Sequence, residues 1–225
     1  MTIRFAFYVL LAMSVSVSLG FAQEDPADDS LRLYAVNIIR DPPQEWTGYG
    51  IYLGMGLVLT AAHVVGSAAR TRPSVRIAGQ VLRAATVKEG TFKKEDLTLL
   101  RVDEEQLPVS LRLRRMPLCR RPPWVGEAVI VAIPEGTARS RIMSPQLLPA
   151  QYRLRFSTVI SDVATTGNSG SGVFDVGAKC LLGIMSRKIQ IRPDDANPNS
   201  ELKDLAKYFV PAATINTFIP SQYHL

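Results

Sequence analysis

Short runs of β-forming residues, each closed by glycine or proline within a few positions, recur along most of the chain and leave little room for long helices. Residues 31–39 are rich in β-formers, 48–59 alternate glycine with Tyr, Ile, Leu and Val, and 75–87 continue the pattern. Residues 97–102 make an apolar strand with Asp96 at its mouth. A stretch rich in proline and arginine, 108–123, follows and reads as a crossover between two halves. The pattern then resumes at 128–133, 152–160, 172–174 and 181–191, and helical patterning is confined to 201–208 and 212–218. Strands at this spacing with Gly and Pro turns predict an all-β barrel or sandwich rather than alternating β and α units.

The N-terminus has a different character. One positive charge in residues 1–4 precedes an apolar run, 5–20, broken only by serines, and Gly20, Phe21 and Ala22 lead into an abruptly polar stretch. That order of charge, apolar run and small-residue exit reads as a signal peptide over 1–22; an uncleaved anchor is the alternative. The chain is therefore expected to be exported, periplasmic or secreted, with no stable membrane insertion after cleavage. An oxidising compartment permits a disulfide between Cys119 and Cys180, two separate buried thiols being the other reading. Two cysteines without paired spacing and two histidines make no zinc site, and no metal or other cofactor is expected.

With 225 residues, 47% hydrophobic and 20% charged, the chain can bury a core as one unit or as two small ones. Its net charge of +6 comes largely from arginine, with Arg112, Arg114, Arg115, Arg120 and Arg121 close together. No aromatic interleaving or nucleic-acid motif accompanies them, so a solvated connecting segment is the reading and no nucleic-acid partner is expected.

Three segments carry chemistry. His63 follows an apolar strand in Thr60-Ala61-Ala62-His63, where two small residues let the backbone pack closely while the imidazole faces a cleft. The other histidine, His224, is the penultimate residue. Asp96 stands at the entrance of Asp96-Leu97-Thr98-Leu99-Leu100, where a carboxylate can fix the tautomer of an imidazole and stabilise the imidazolium. Taken alone, a core histidine and a turn-capping aspartate are the more ordinary readings of these two positions. In Gly167-Asn168-Ser169-Gly170-Ser171-Gly172 the glycines allow a tight turn in which the amides of Gly167 and Ser169 converge as an oxyanion hole.

Taken together, these segments resemble the trypsin-like serine peptidases in motif, order and spacing: a histidine box, an aspartate strand and a nucleophile loop, in the order His, Asp, Ser. An α/β-hydrolase elbow fails because Ser171 stands where its second glycine is needed. The resemblance runs from about residue 36 to 218 and is closest to the bacterial HtrA-like and glutamyl-endopeptidase-like branches, with no room for an appended PDZ domain. It implies two six-stranded antiparallel β-barrels, 23–115 carrying His63 and Asp96 and 116–225 carrying Ser169, with a short terminal helix. It further implies a His63, Asp96, Ser169 catalytic triad at their junction and an exported serine endopeptidase acting on protein or peptide substrates. A catalytically silent copy of the fold, kept as a binding or scaffold module, is the alternative.

By the same resemblance, the primary pocket lies between Val163, Ala164, Thr165 and Thr166 on one wall and Ser186, Arg187 and Lys188 on the other. Val163 suggests an apolar floor, whereas Lys188 is bulky where small residues usually border the pocket. Asn168 replaces an aspartate that pairs with a new N-terminal ammonium in the vertebrate digestive branch, so activation of that kind is not expected. Ser171 and Thr98 replace smaller residues common in the family.

Overall fold

The computed structural model describes residues 26–40, 48–161, 169–192 and 200–223; the expected signal peptide lies outside them. The chain is built of two antiparallel sheets, one made in the first half and one in the second.

The first contains β1 (Ala35–Ile39), β2 (Gly48–Gly54), β3 (Leu57–Thr60), β4 (Ser74–Ile77), β5 (Gln80–Arg83), β6 (Ala85–Glu89) and β7 (Thr98–Arg101), with short helices α2 (Ala62–Val65) and α3 (Ala68–Thr71) after β3. Its order is β5-β4-β1-β2-β3-β7-β6. The two terminal strands, β5 and β6, are one stretch of chain interrupted only at Ala84. One part pairs with β4 and the other with β7, so a single bent strand joins the two ends of the sheet. The seven segments thus form the six-stranded barrel that the resemblance implies. Ala84 itself donates its N–H to the Pro73 carbonyl at the bend.

The second sheet is a closed barrel in the order β10-β13-β12-β11-β8-β9. Its strands are β8 (Ala128–Ile133), β9 (Gly136–Met143), β10 (Val159–Ile160), β11 (Gly172–Asp175), β12 (Leu181–Ile191) and β13 (Lys203–Pro211). In chain order, helix α4 (Val109–Arg112) comes between the two sheets, α5 (Ala150–Arg153) precedes β10, and α6 (Ala212–Phe218) follows β13.

Three sequence expectations change. Residues 31 and 32 belong to a helix, α1 (Pro26–Arg32), rather than to the first strand. Of residues 152–160, the first two end helix α5, 154–158 are turn and irregular chain, and only Val159 and Ile160 form a strand. The helix expected over 201–208 is β13, which pairs with β12 on one side and β10 on the other and buries Ala206, Phe209 and Val210. Its Lys, Leu and Ala are helix formers, but barrel closure needs a sixth strand and pairing outweighs propensity.

The apolar strands are solidly hydrophobic because both their faces are covered. Tyr52, Val58 and Leu100 point into the first barrel. Their neighbours Ile51, Leu53, Leu57, Leu59 and Leu99 pack instead with Ile130, Phe174, Leu181 and Ile184 of the second barrel and Ile215 of α6. Alternate residues of the same strands therefore fill the barrel and glue the two barrels together. The crossover is anchored at both ends of this seam: Met116 donates its N–H to Leu53 of β2, and Cys119 donates to Leu181 of β12. Cys119 and Cys180 form a disulfide there.

Candidate active site

Pairing of β3 with β7 sets Thr60 opposite Thr98, so the residues just after β3 and just before β7 emerge at the same end of the barrel. His63 and Asp96 occupy those positions. Asp96 is 1% exposed, and its two oxygens divide the work. Oδ1 accepts the His63 backbone N–H at 3.0 Å, and Oδ2 lies 2.8 Å from His63 Nδ1. This two-point grip holds the ring and its main chain together, and it assigns the Nδ1 proton toward the carboxylate, leaving Nε2 as an acceptor. The turn supporting Asp96 is closed by Gly90, whose N–H meets the Leu97 carbonyl. A Cβ at Gly90 would come within 2.3 Å of the Glu95 carbonyl oxygen.

A third ligand reaches the carboxylate from the other barrel. Ser186 of β12, fully buried, donates its hydroxyl to Asp96 Oδ2 at 2.6 Å. Burial pushes the Asp96 carboxyl up, but the hydrogen bonds from the His63 side chain and from Ser186 outweigh it and hold Asp96 below the usual carboxylate range.

Ser169 comes from the turn before β11. Its carbonyl accepts the Tyr49 N–H of β2 at 2.9 Å, and the Tyr49 carbonyl takes the Thr60 hydroxyl three residues before His63. Gly170 makes this docking possible: it has φ +88°, and a Cβ there would stand 1.8 Å from the Tyr49 carbonyl oxygen. On the other side Gly170 and Ser171 bond to Met185 of β12, and Ser169 Oγ donates to the Ser186 carbonyl at 3.3 Å. The serine loop is thus held on β2 and β12 at once, at the seam where Asp96 and His63 lie.

The family model described as a trypsin-like peptidase domain matches residues 48–184, more than half of the chain. The chain belongs to the trypsin-like peptidase family. Solved structures agree in fold. The active form of the protease Rv3671c from M. tuberculosis superposes with a TM-score of 0.58 at 19% identity, covering 94% of this chain and 92% of that one. A serine endoprotease from Yersinia pestis gives 0.58 at 18% identity, covering 85% and 63% of the respective chains. Mouse neuropsin, a serine protease, gives 0.58 at 16% identity, covering 86% and 95%. No curated protein matches the sequence.

Within this trypsin-like frame the remaining expected site residues fall into two groups. Gly167, Asn168, Val163, Ala164, Thr165 and Thr166, and with them the expected oxyanion hole and one pocket wall, lie outside the described residues, as does His224. Ser186, Arg187 and Lys188 are described. Ser186 spends its side chain on Asp96, and Arg187 is largely buried against Phe92 and Asp96. Lys188 is exposed and ion-paired to Asp204 of β13 at 2.6 Å.

Two residues at the site were not singled out from the sequence. Phe92 packs its ring edge-on against His63, with centroids 5.3 Å apart. Arg40 donates to the His63 and Val64 carbonyls, capping the short helix that carries the histidine. Nothing local marks Arg40, whereas an aromatic in the polar turn Gly90-Thr91-Phe92-Lys93-Lys94 is a readable oddity. That Ser186 needs a partner was readable, since a lone hydroxyl at the end of the apolar run Leu181-Leu182-Gly183-Ile184-Met185 must be hydrogen-bonded when buried, but the partner, Asp96, was not.

Proposed function

We propose that this trypsin-like peptidase is an exported serine endopeptidase that cleaves internal peptide bonds through His63, Asp96 and Ser169. The observation that carries the reading is the buried Asp96 carboxylate, which grips both the backbone and the ring of His63 and so presents Nε2 as a base. Ser169 is held on the neighbouring strands, and its 3.3 Å bond to the Ser186 carbonyl is long for a hydroxyl donor and easily exchanged.

In the proposed reaction the Ser169 hydroxyl attacks the peptide carbonyl carbon while its proton passes to His63 Nε2. Asp96 stays ionised and stabilises the imidazolium. The amide hydrogens of Gly167 and Ser169 hold the developing oxyanion. His63 then returns the proton to the departing amine, leaving an acyl-enzyme on Ser169. Water, deprotonated by the same imidazole, attacks this ester and restores the serine. Residues 163–166 and 186–188 would border the substrate side chain, with the two barrels, 23–115 and 116–225, as the two walls of the cleft. The disulfide and the apolar leader over 1–22 support export.

The test is hydrolysis of denatured protein and of a peptide library by the mature chain, with products read by mass spectrometry. Cleavage at internal bonds is expected, with a loss of about ten-thousand-fold or more in Ser169→Ala and His63→Ala. A folded wild-type protein that leaves every peptide intact would turn the reading to a binding module on the same fold.

A further inference from the structure

We infer that Arg187 is a positioning residue that clamps the 90–96 turn of the first barrel onto β12 of the second and thereby sets the orientation of the His63–Asp96 pair. The inference rests on the hydrolase reading above, in which Arg187 would border the substrate, and gives that side chain a further role at the His63–Asp96 pair.

A local irregularity places the arginine. Met185 pairs with Phe209 and Arg187 with Tyr208, so Ser186 is an extra residue on β12. In a regular strand Ser186 and Arg187 would face opposite ways; a bulge re-aims neighbouring side chains. Both now reach the same carboxylate oxygen: Ser186 Oγ lies 2.6 Å from Asp96 Oδ2, and Arg187 Nη2 lies 3.8 Å from it.

The guanidinium is used on every side. Nη2–H donates to the Phe92 carbonyl at 2.7 Å, and Nε–H points to Ser186 Oγ at 3.3 Å. Its Cζ lies 3.9 Å from the centre of the Phe92 ring and 5.6 Å from that of Phe156. Phe92, which is 46% exposed, in turn sets its ring against His63. One side chain, itself 14% exposed, therefore fixes the ring that packs on the imidazole and supplies a cation beside the carboxylate that orients it. A planar guanidinium can donate in its plane and stack on its face at once, which an ammonium cannot.

The charged and titratable groups facing Arg187 are Asp96, Arg155 and Tyr208, with His63 beyond the shared carboxylate. Burial pulls the guanidinium below the ordinary arginine value without costing its charge at neutral pH. A fixed cation beside Asp96 favours the ionised carboxylate, and its removal is expected to move the acid limb of activity to higher pH.

The experiment compares the mature wild type with Arg187→Met and Arg187→Lys. One arm follows the rate of fluorophosphonate labelling against pH. A second records, in a Ser169→Ala background, the downfield Nδ1–H proton of His63 by NMR; a third records the thermal midpoint. Arg187→Met is expected to slow labelling about tenfold, to move its acid limb up by about half a pH unit, and to broaden the Nδ1–H signal, with the fold retained. Arg187→Lys is expected to keep the acid limb in place while remaining slow, because the charge is kept and the stacked fork to Phe92 is not. Wild-type rate, pH limb and NMR signal in Arg187→Met would overturn the proposal, as would equal losses in both variants with no movement of the limb. If Arg187→Met does not fold, a wild-type rate and signal in Arg187→Lys would overturn it alone. A wild type that is not labelled at all sinks the hydrolase reading instead, and the NMR arm then decides the clamp by itself.

Discussion

At the scale of single residues, Asp96 decides the most. A carboxylate so buried is costly unless its oxygens are hydrogen-bonded, and here the His63 amide, the His63 ring and the Ser186 hydroxyl reach them. Asp96→Asn keeps the shape but presents an amide to the imidazole, which invites the wrong tautomer. Its peptidase kcat is expected to fall about ten-thousand-fold. The same side chain ties stability to pH. Its folded pKa is depressed, so its contribution is fully present above the unfolded value of about 4 and fades as the pH falls through the folded one. Urea midpoints of wild type and Asp96→Asn should therefore differ more at pH 7 than at pH 3. A gap that is constant or wider in acid would contradict this. The segments holding His63 and Asp96 were legible because each adjoins an unmistakable strand; the answer to the lone Ser186 hydroxyl was not, because it arises from a bulge that no local pattern announces.

At the scale of elements, the strands read best where both faces are buried, as in β2, β3 and β7, whose apolar runs serve barrel and seam together. They read worst where tertiary pairing overrides local preference. β13 carries helix-forming residues over 203–208 and is nevertheless a central strand, flanked by β12 and β10. The bent strand over 80–89 was legible as β but not as the piece that closes the barrel, since the break at Ala84 is a matter of which neighbours it meets. The strand assignment has a direct consequence. Proline at Ala206 would remove a ladder hydrogen bond inside the closed barrel, costing about 3 kcal/mol or more, whereas aspartate at the exposed Leu202 should cost less than about 1 kcal/mol. Denaturant midpoints of the two variants measure the contrast, and equal effects would argue against a buried strand.

At the scale of the molecule, the two barrels are tied by the shared apolar seam, by the crossover and by the leading helix. α1 precedes the first barrel yet packs on the second, where Asp28 binds Lys179 and Arg139 and Arg32 reaches the Pro134 carbonyl. The disulfide pins the crossover to β12, the strand that also carries Ser186 and Arg187. It joins residues 61 apart, which in the chain-entropy account is worth about 4 kcal/mol. Reduction, or Cys119→Ser with Cys180→Ser, is expected to lower the urea midpoint accordingly; an unchanged midpoint would mean that packing alone holds the crossover. The seam matters because the proposed chemistry needs groups from both barrels, with His63 and Asp96 on one and Ser169 on the other. That claim is tested most directly by treating the mature protein with a fluorophosphonate and mapping the adduct by mass spectrometry. A single adduct on Ser169, abolished in His63→Ala, is the predicted result; no adduct on well-folded protein, or one that survives loss of the imidazole, would contradict it.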